Sequence, residues 1–133
     1  VLAAADGRSE SVLESLSRAG FLRARLPVPE LQVEVWFGGE LVGRTDFLWR
    51  ECLVVGEADG RAKYQEVQDL YLEKRREERL RDLGLEVVRW DWQSALHPER
   101  GLLDALARAF ERGRLNRLAP GVRLVPTQLR FAA

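Results

Sequence analysis

The sequence predicts an α/β fold, a small mixed sheet of four to five strands flanked by helices on both faces. Three observations carry this. Leu31, Val33, Val35 and Phe37 alternate with Gln32, Glu34 and Trp36, the period of a half-buried strand. Gly38-Gly39 follows as a turn signal, so Leu41–Trp49 is expected to pair back as a hairpin. A long charged helical stretch then separates two short apolar runs, Leu53–Ala58 and Leu85–Trp90, the arrangement of a parallel crossover.

Taken in order, Ser9 or Ser11 would cap a first helix running to about Arg25, with Val12, Leu13, Leu16, Ala19 and Phe21 on its apolar side. Pro27 and Pro29 end it and make an extended connector. The hairpin follows, and then the strand Leu53–Ala58, which stops at Asp59-Gly60. Gly56 stands where a β-branched residue is expected and weakens that strand. The charged helix spans about Tyr64 to Leu83, with Gly84 at its C-terminal cap. Its run Glu73-Lys74-Arg75-Arg76-Glu77-Glu78-Arg79 reads first as a solvated face. Pro98 opens a last helix with Leu102, Leu103, Leu106, Ala109 and Phe110 inward, ended by Gly113. Val122–Val125 is expected as an edge strand.

The chain's 133 residues suit one domain, with a core at about 8–112 and an Arg-rich tail at 114–133. Hydrophobic residues make up 46%, which excludes a disordered polymer. With no Met and Val1 at its start, the chain reads as a piece of a longer protein. Cys52 cannot form an internal bridge and is expected as a small buried residue. No run approaches the ~20 apolar residues that span a bilayer, and no signal-peptide pattern opens the chain, so a cytoplasmic protein is expected. Net charge is zero, but residues 1–60 hold 6 Arg against 10 acids, and residues 61–133 hold 15 basic residues against 11 acids.

Three acids stand out: Asp46, Glu57 and, two residues after it, Asp59. Asp46 interrupts a strand pattern, and Glu57 ends the next strand. On neighbouring strands the two would approach each other, and a divalent cation is the usual remedy for their repulsion. Oxygen ligands favour Mg²⁺ or Mn²⁺, and one His with one Cys makes a structural zinc site implausible. The alternative is that Asp46 pairs with Arg44 or another Arg at a sheet edge and Glu57 merely closes its strand.

A wider set of motifs bears on that choice. It comprises Ser11-x-x-Glu14-Ser15-x-x-Arg18, Pro27-x-Pro29-x-x-Gln32, Arg44-x-Asp46-Phe47-x-Trp49, Glu57-x-Asp59-Gly60-x-x-Lys63-Tyr64, Glu73-Lys74-x-Arg76 and Gly84-x-x-Val87-Val88-Arg89-Trp90. In this order and spacing, over about residues 8–112, the set resembles a family of bacterial domains frequent in actinobacteria. That family is grouped with the very-short-patch-repair endonuclease and, more broadly, with the PD-(D/E)XK nuclease superfamily. The resemblance implies a restriction-endonuclease-like fold and Mg²⁺- or Mn²⁺-dependent hydrolysis of phosphodiesters in DNA, with RNA not excluded. Asp46 matches the metal-binding Asp of the superfamily, Glu57 the acid of its (D/E)XK motif, and Glu14 the helical acid that completes the site. Asp59 stands where that motif has Lys, so Lys63 or Lys74 is expected to supply the basic group. Lys63 would orient the nucleophile or stabilise the transition state. Gln32 and Asp59 would stand just outside the ligand set, Gln32 holding a ligand or a water. Such domains often follow an N-terminal winged-helix segment resembling abortive-infection antitoxins, and some would serve as effectors of a defence system. A catalytically inactive nucleic-acid-binding or interaction module with the same fold is the second expectation, suggested by Asp59 and Gly56.

Lys74 and Arg76 are the candidates for contact with phosphates, beside the tail residues Arg114, Arg117, Arg123 and Arg130. Trp49 and Trp90 are expected in the core, while Trp36 or Trp92 could stack on a base. His97 reads as a helix-start residue. No Walker A loop, dinucleotide fingerprint or nucleophile elbow is present.

Overall fold

The alternating and helical segments fold largely where their patterns place them. The computed structural model describes residues 2–60 and 67–127. Helix α1 (Leu2–Arg23) is followed by strands β1 (Glu30–Phe37) and β2 (Glu40–Trp49), a 3₁₀ turn at Arg50–Cys52, and β3 (Val54–Ala58). Helix α2 (Val67–Asp82) leads to β4 (Glu86–Trp90). Then come α3 (Trp92–Leu96), a second 3₁₀ turn (Pro98–Arg100), α4 (Leu102–Arg114) and β5 (Val122–Pro126). The five strands lie in the order β4-β3-β2-β1-β5; only the β3–β4 pair is parallel, with α2 as its crossover.

Three expectations are corrected. Neither Ser9 nor Ser11 caps the first helix, because α1 begins at Leu2 and both lie inside it. Pro98 does not open the last long helix. It starts a 3₁₀ turn, and Gly101 at φ 131° reorients the chain before α4 begins. The sequence reading also passed over α3, five residues whose start Asp91 caps by accepting the Ser94 N–H at 2.9 Å. The tail is in part sheet, because β5 pairs with β1 from Val122 opposite Phe37 to Pro126 opposite Val33.

The sheet separates two apolar cores. On one side Leu13 and Phe21 of α1, Ala95 of α3 and Leu102, Leu106, Ala109 and Phe110 of α4 pack on Phe47, Trp49, Val54, Ala58 and Trp90. On the other, Leu80 of α2 packs with Val33, Val35, Leu48, Val55, Leu83, Leu85 and Val87. Cys52 is buried, as its apolar character predicts. Trp90 and Trp49 are 4% and 3% exposed. Trp90 Nε1 donates to Ser17 Oγ and Trp49 Nε1 to the Pro27 carbonyl, both at 2.8 Å, so neither indole is buried unsatisfied.

Gly56 acquires a reason here. A Cβ at this position would lie 2.7 Å from Trp90 Cη2 and 3.0 Å from Trp49 Cζ3. The missing side chain is the space the two indoles occupy, so the strand is shaped by this glycine rather than weakened by it.

Candidate active site

The hairpin and its neighbour set the site. Phe47 pairs with Gly56, so Asp46 on β2 and Glu57 on β3 come next on the same ladder, and Glu57 is opposite Arg89 on β4. On the other side of β2, Gln32 of β1 stands at the level of Asp46, between the pairs Leu31–Phe47 and Val33–Thr45. A row of polar side chains, Gln32, Asp46, Glu57 and Arg89, thus crosses the sheet at one level.

Asp46 and Glu57 line one cleft of about 330 Å³, together with Arg44, Ala58, Asp59, Glu73, Arg76 and Arg89. Asp46 Oδ2 accepts the Ala58 N–H at 2.9 Å, which fixes its carboxylate beside the residue that follows Glu57. Glu57 is 13% exposed, and its Oε1 accepts from Arg76 Nη1 at 2.8 Å. Burial pushes the Glu57 carboxyl above its ordinary range; Arg76 opposes that, and the charge of Asp46 adds to it. Burial is the leading cause, and the neighbouring Asp46 charge is a smaller one.

Arg76 also donates from Nη2 to the Arg44 carbonyl at 2.7 Å, so it ties α2 to both β2 and β3. Glu73, Arg76, Glu77 and Leu80 fall at the i, i+3, i+4, i+7 spacing of one helix face. That face meets Arg89, whose Nη1 lies 3.3 Å from Glu73 and 4.0 Å from Asp59, and whose Nε lies 3.1 Å from Glu77. The charged run of α2 is therefore divided. Lys74 is exposed, whereas Glu73 and Arg76 make the cleft's far wall and Glu77 braces Arg89 behind it.

The remaining expectations sort as follows. Glu14 lies with Gln32, whose Nε2 is 3.5 Å from both carboxylate oxygens. Among the described residues no three of His, Cys, Asp and Glu form a group able to hold a metal ion. The expected trio is therefore not one group: Asp46 and Glu57 share the cleft, while Glu14 stands on α1 beside Gln32. Asp59 stands at the cleft and faces Arg89. Lys63 and Tyr64 lie outside the described residues, as does Arg130. Arg76, expected to reach phosphates, is committed to Glu57 and the Arg44 carbonyl. Arg44 pairs with Glu34 at 3.3 Å. Glu34 is itself fully buried and accepts from Trp36 Nε1 at 3.1 Å, which draws Trp36 into this network. Trp92 packs against the core beside α1. His97 closes α3 and, as expected of a helix-start residue, stands at the N-cap of the 3₁₀ turn Pro98–Arg100.

Sequence reasoning passed over Arg44, Glu73 and Arg89 as lining residues. Arg89 carried a usable signal: at period two it shares a strand face with Leu85 and Val87, a charge on the apolar side of the strand.

Comparison with known proteins finds similarity to two uncharacterised proteins of Mycobacterium tuberculosis, one from strain CDC 1551 and one from strain H37Rv. Each is 29% identical over 111 residues, 84% of this chain and 41% of the relative. The chain thus spans about two fifths of the length of these curated relatives. No family model matches, and no solved structure matches. Among the described residues no helix is long and apolar enough to cross a membrane.

Proposed function

We propose that the chain is a metal-dependent endonuclease domain that hydrolyses phosphodiester bonds in DNA. The observation that carries this reading is the meeting of Asp46 and Glu57, from adjacent central strands, in one solvent-reached cleft. The donor set fits a hard divalent ion, since it is oxygen only. Mg²⁺ commonly takes one or two carboxylates and leaves its other positions to water and substrate phosphate. Asp46 and Glu57 would hold Mg²⁺ or Mn²⁺. The chemistry such an ion supplies when bound is Lewis-acid activation of water and of the phosphate.

The chain's own groups do the rest. Ala58 N–H fixes the Asp46 carboxylate, and Arg76 fixes Glu57. Glu14 enters through Gln32, which stands at the level of Asp46. Arg44, with its side chain 51% exposed at the cleft, offers a cation to a backbone phosphate. Lys63 keeps the proposed task of orienting the nucleophile, and Lys74 that of touching phosphate from the exposed side of α2. RNA as substrate, a cytoplasmic setting, an N-terminal winged-helix segment in the whole protein and a role in defence belong to the same proposal.

A second reading is a non-catalytic nucleic-acid-binding or interaction module. Asp59 in the place of a lysine and the Arg76 guanidinium already on Glu57 favour it.

The experiment is plasmid nicking. Purified chain with Mg²⁺ or Mn²⁺ is expected to convert supercoiled DNA to open circles, and chelation is expected to stop it. Asp46→Asn can keep an oxygen for the Ala58 N–H but loses the charge, and is expected to lower the rate at least a hundredfold, on the order of what a key electrostatic group contributes. Nicking that survives both chelation and Asp46→Asn would overturn the proposal, and absence of nicking by the wild-type chain would favour the second reading.

A further inference from the structure

Arg76 is seated rather than merely near. Its guanidinium contacts Glu57 Oε1 at 2.8 Å and the Arg44 carbonyl at 2.7 Å. Its side chain is 26% exposed. The seat is a notch in β2: a Cβ on Gly43 would lie 2.4 Å from Arg76 Nε and 2.9 Å from Nη2. Only a residue without a side chain admits the guanidinium to this spot. Among the described residues the cleft around it is lined by four acids, Asp46, Glu57, Asp59 and Glu73, and three arginines, Arg44, Arg76 and Arg89. With Arg76 in place these described groups carry one formal negative charge, and without it two.

We propose that Arg76, admitted by the Gly43 notch, is a resident counter-ion that competes with the divalent cation for Glu57 and so keeps metal binding at this cleft weak. This inference rests on the metal reading of the Asp46–Glu57 pair and adds a residue that regulates it. The guanidinium occupies one of the two Glu57 oxygens, and its charge repels a second cation across a few ångströms. A divalent ion entering the cleft turns the charge of the described lining residues from minus one to plus one, which a single phosphodiester group neutralises. The cleft is thereby set to take cation and phosphate together and to hold the cation poorly by itself.

The test is Mn²⁺ affinity, measured by calorimetry or by the loss of the free-ion electron paramagnetic resonance signal, for the wild-type chain and three variants. Arg76→Gln removes the competing charge. Gly43→Ala closes the notch and displaces the guanidinium while leaving every charged group present. Arg76→Lys keeps the charge but cannot span both Glu57 and the Arg44 carbonyl. Arg76→Gln and Gly43→Ala are expected to bind Mn²⁺ about tenfold more tightly or better, the scale of one nearby unit charge at a protein surface. Arg76→Lys is expected to fall between them and the wild type. A helix tie that served structure alone would lower thermal stability in all three variants without tightening the metal. Binding to the wild type with equal or weaker binding to Arg76→Gln and Gly43→Ala would overturn the role of Arg76 and leave the metal reading standing. Undetectable binding to the wild type with clear binding to both variants would support the role. No binding in any of them would sink the metal reading and this inference with it.

Discussion

Gly56→Ala adds one methyl group to the centre of β3 and tests how tightly the aromatic core is fixed. The new carbon would stand 2.7 Å from Trp90 Cη2 and 3.0 Å from both Trp90 Cζ3 and Trp49 Cζ3. Ordinary carbon contacts are ~3.5–4.0 Å, so the rings must retreat by close to 1 Å, or the strand must. Neither indole is free to do so. Trp90 is held by Ser17 Oγ and Trp49 by the Pro27 carbonyl, each at 2.8 Å. Phe47 stacks on Trp90 at 5.5 Å between centroids, and the Phe21 ring meets Trp49 and Trp90 edgewise, both at 5.4 Å. Overpacking a tight core costs about 1–3 kcal/mol. One weakened hydrogen bond to an indole adds about 1 kcal/mol. The expected loss is therefore roughly 2–4 kcal/mol, or about 6–15 °C in Tm for a chain of this size. Urea unfolding followed by tryptophan fluorescence reads it directly, with an unchanged m-value confirming that the native state and not the denatured one has been altered. A variant within about 0.5 kcal/mol of wild type would refute the account of Gly56 as the space for two indoles.

Two further outcomes follow from groups already described. Ser17, 2% exposed, donates to the Leu13 carbonyl and accepts from Trp90 Nε1. Ser17→Ala leaves the indole N–H buried without a partner and is expected to cost about 1–3 kcal/mol in urea unfolding; a cost near zero would mean the N–H finds another acceptor. Glu57 titrates above the ordinary 4.5 because burial disfavours its charge. The folded chain thus keeps this proton to higher pH than the unfolded chain does, so the contribution to stability is present below 4.5 and is lost as pH rises through the raised value. The difference in urea midpoint between wild type and Glu57→Gln should trace that loss, and Asp46→Asn should lower the upper edge of the window by removing a repelling charge. A pH-independent difference would contradict the burial of Glu57.

The strands were legible because β1 alternates with a period of two, β3 is a short continuous apolar run buried on both faces, and Gly38-Gly39 at φ 60° and 80° supplies the turn the hairpin needs. The adjacency of Asp46 and Glu57 followed from that hairpin logic, since neighbouring strands fix which side chains share a level. What the sequence hid were the features that exist only once distant segments pack. Gly43 and Gly56 look alike in the chain, yet one admits an arginine from α2 and the other two indoles from β2 and β4. The division of the α2 charges into a wall of the cleft and an exposed side depended on where Leu80 would be buried. The separation of α3 from α4 turned on the positive φ of Gly101, which a helix-start signal at Pro98 masked.

Gln32 has one more consequence. Its φ of 54° is a left-handed setting, and Thr127 Oγ1 donates to its carbonyl at 2.6 Å. Leu31 and Val33 are two apart and would share a face in a regular strand, but Leu31 packs with the cluster under α1 and α4 while Val33 belongs to the cluster under α2. One twisted residue resets the odd–even count of the strand, so a single ribbon of backbone threads from one oily layer into the other. Melting either layer then tugs on the other through covalent bonds rather than through sheet contacts, which ties the two halves into one cooperative transition.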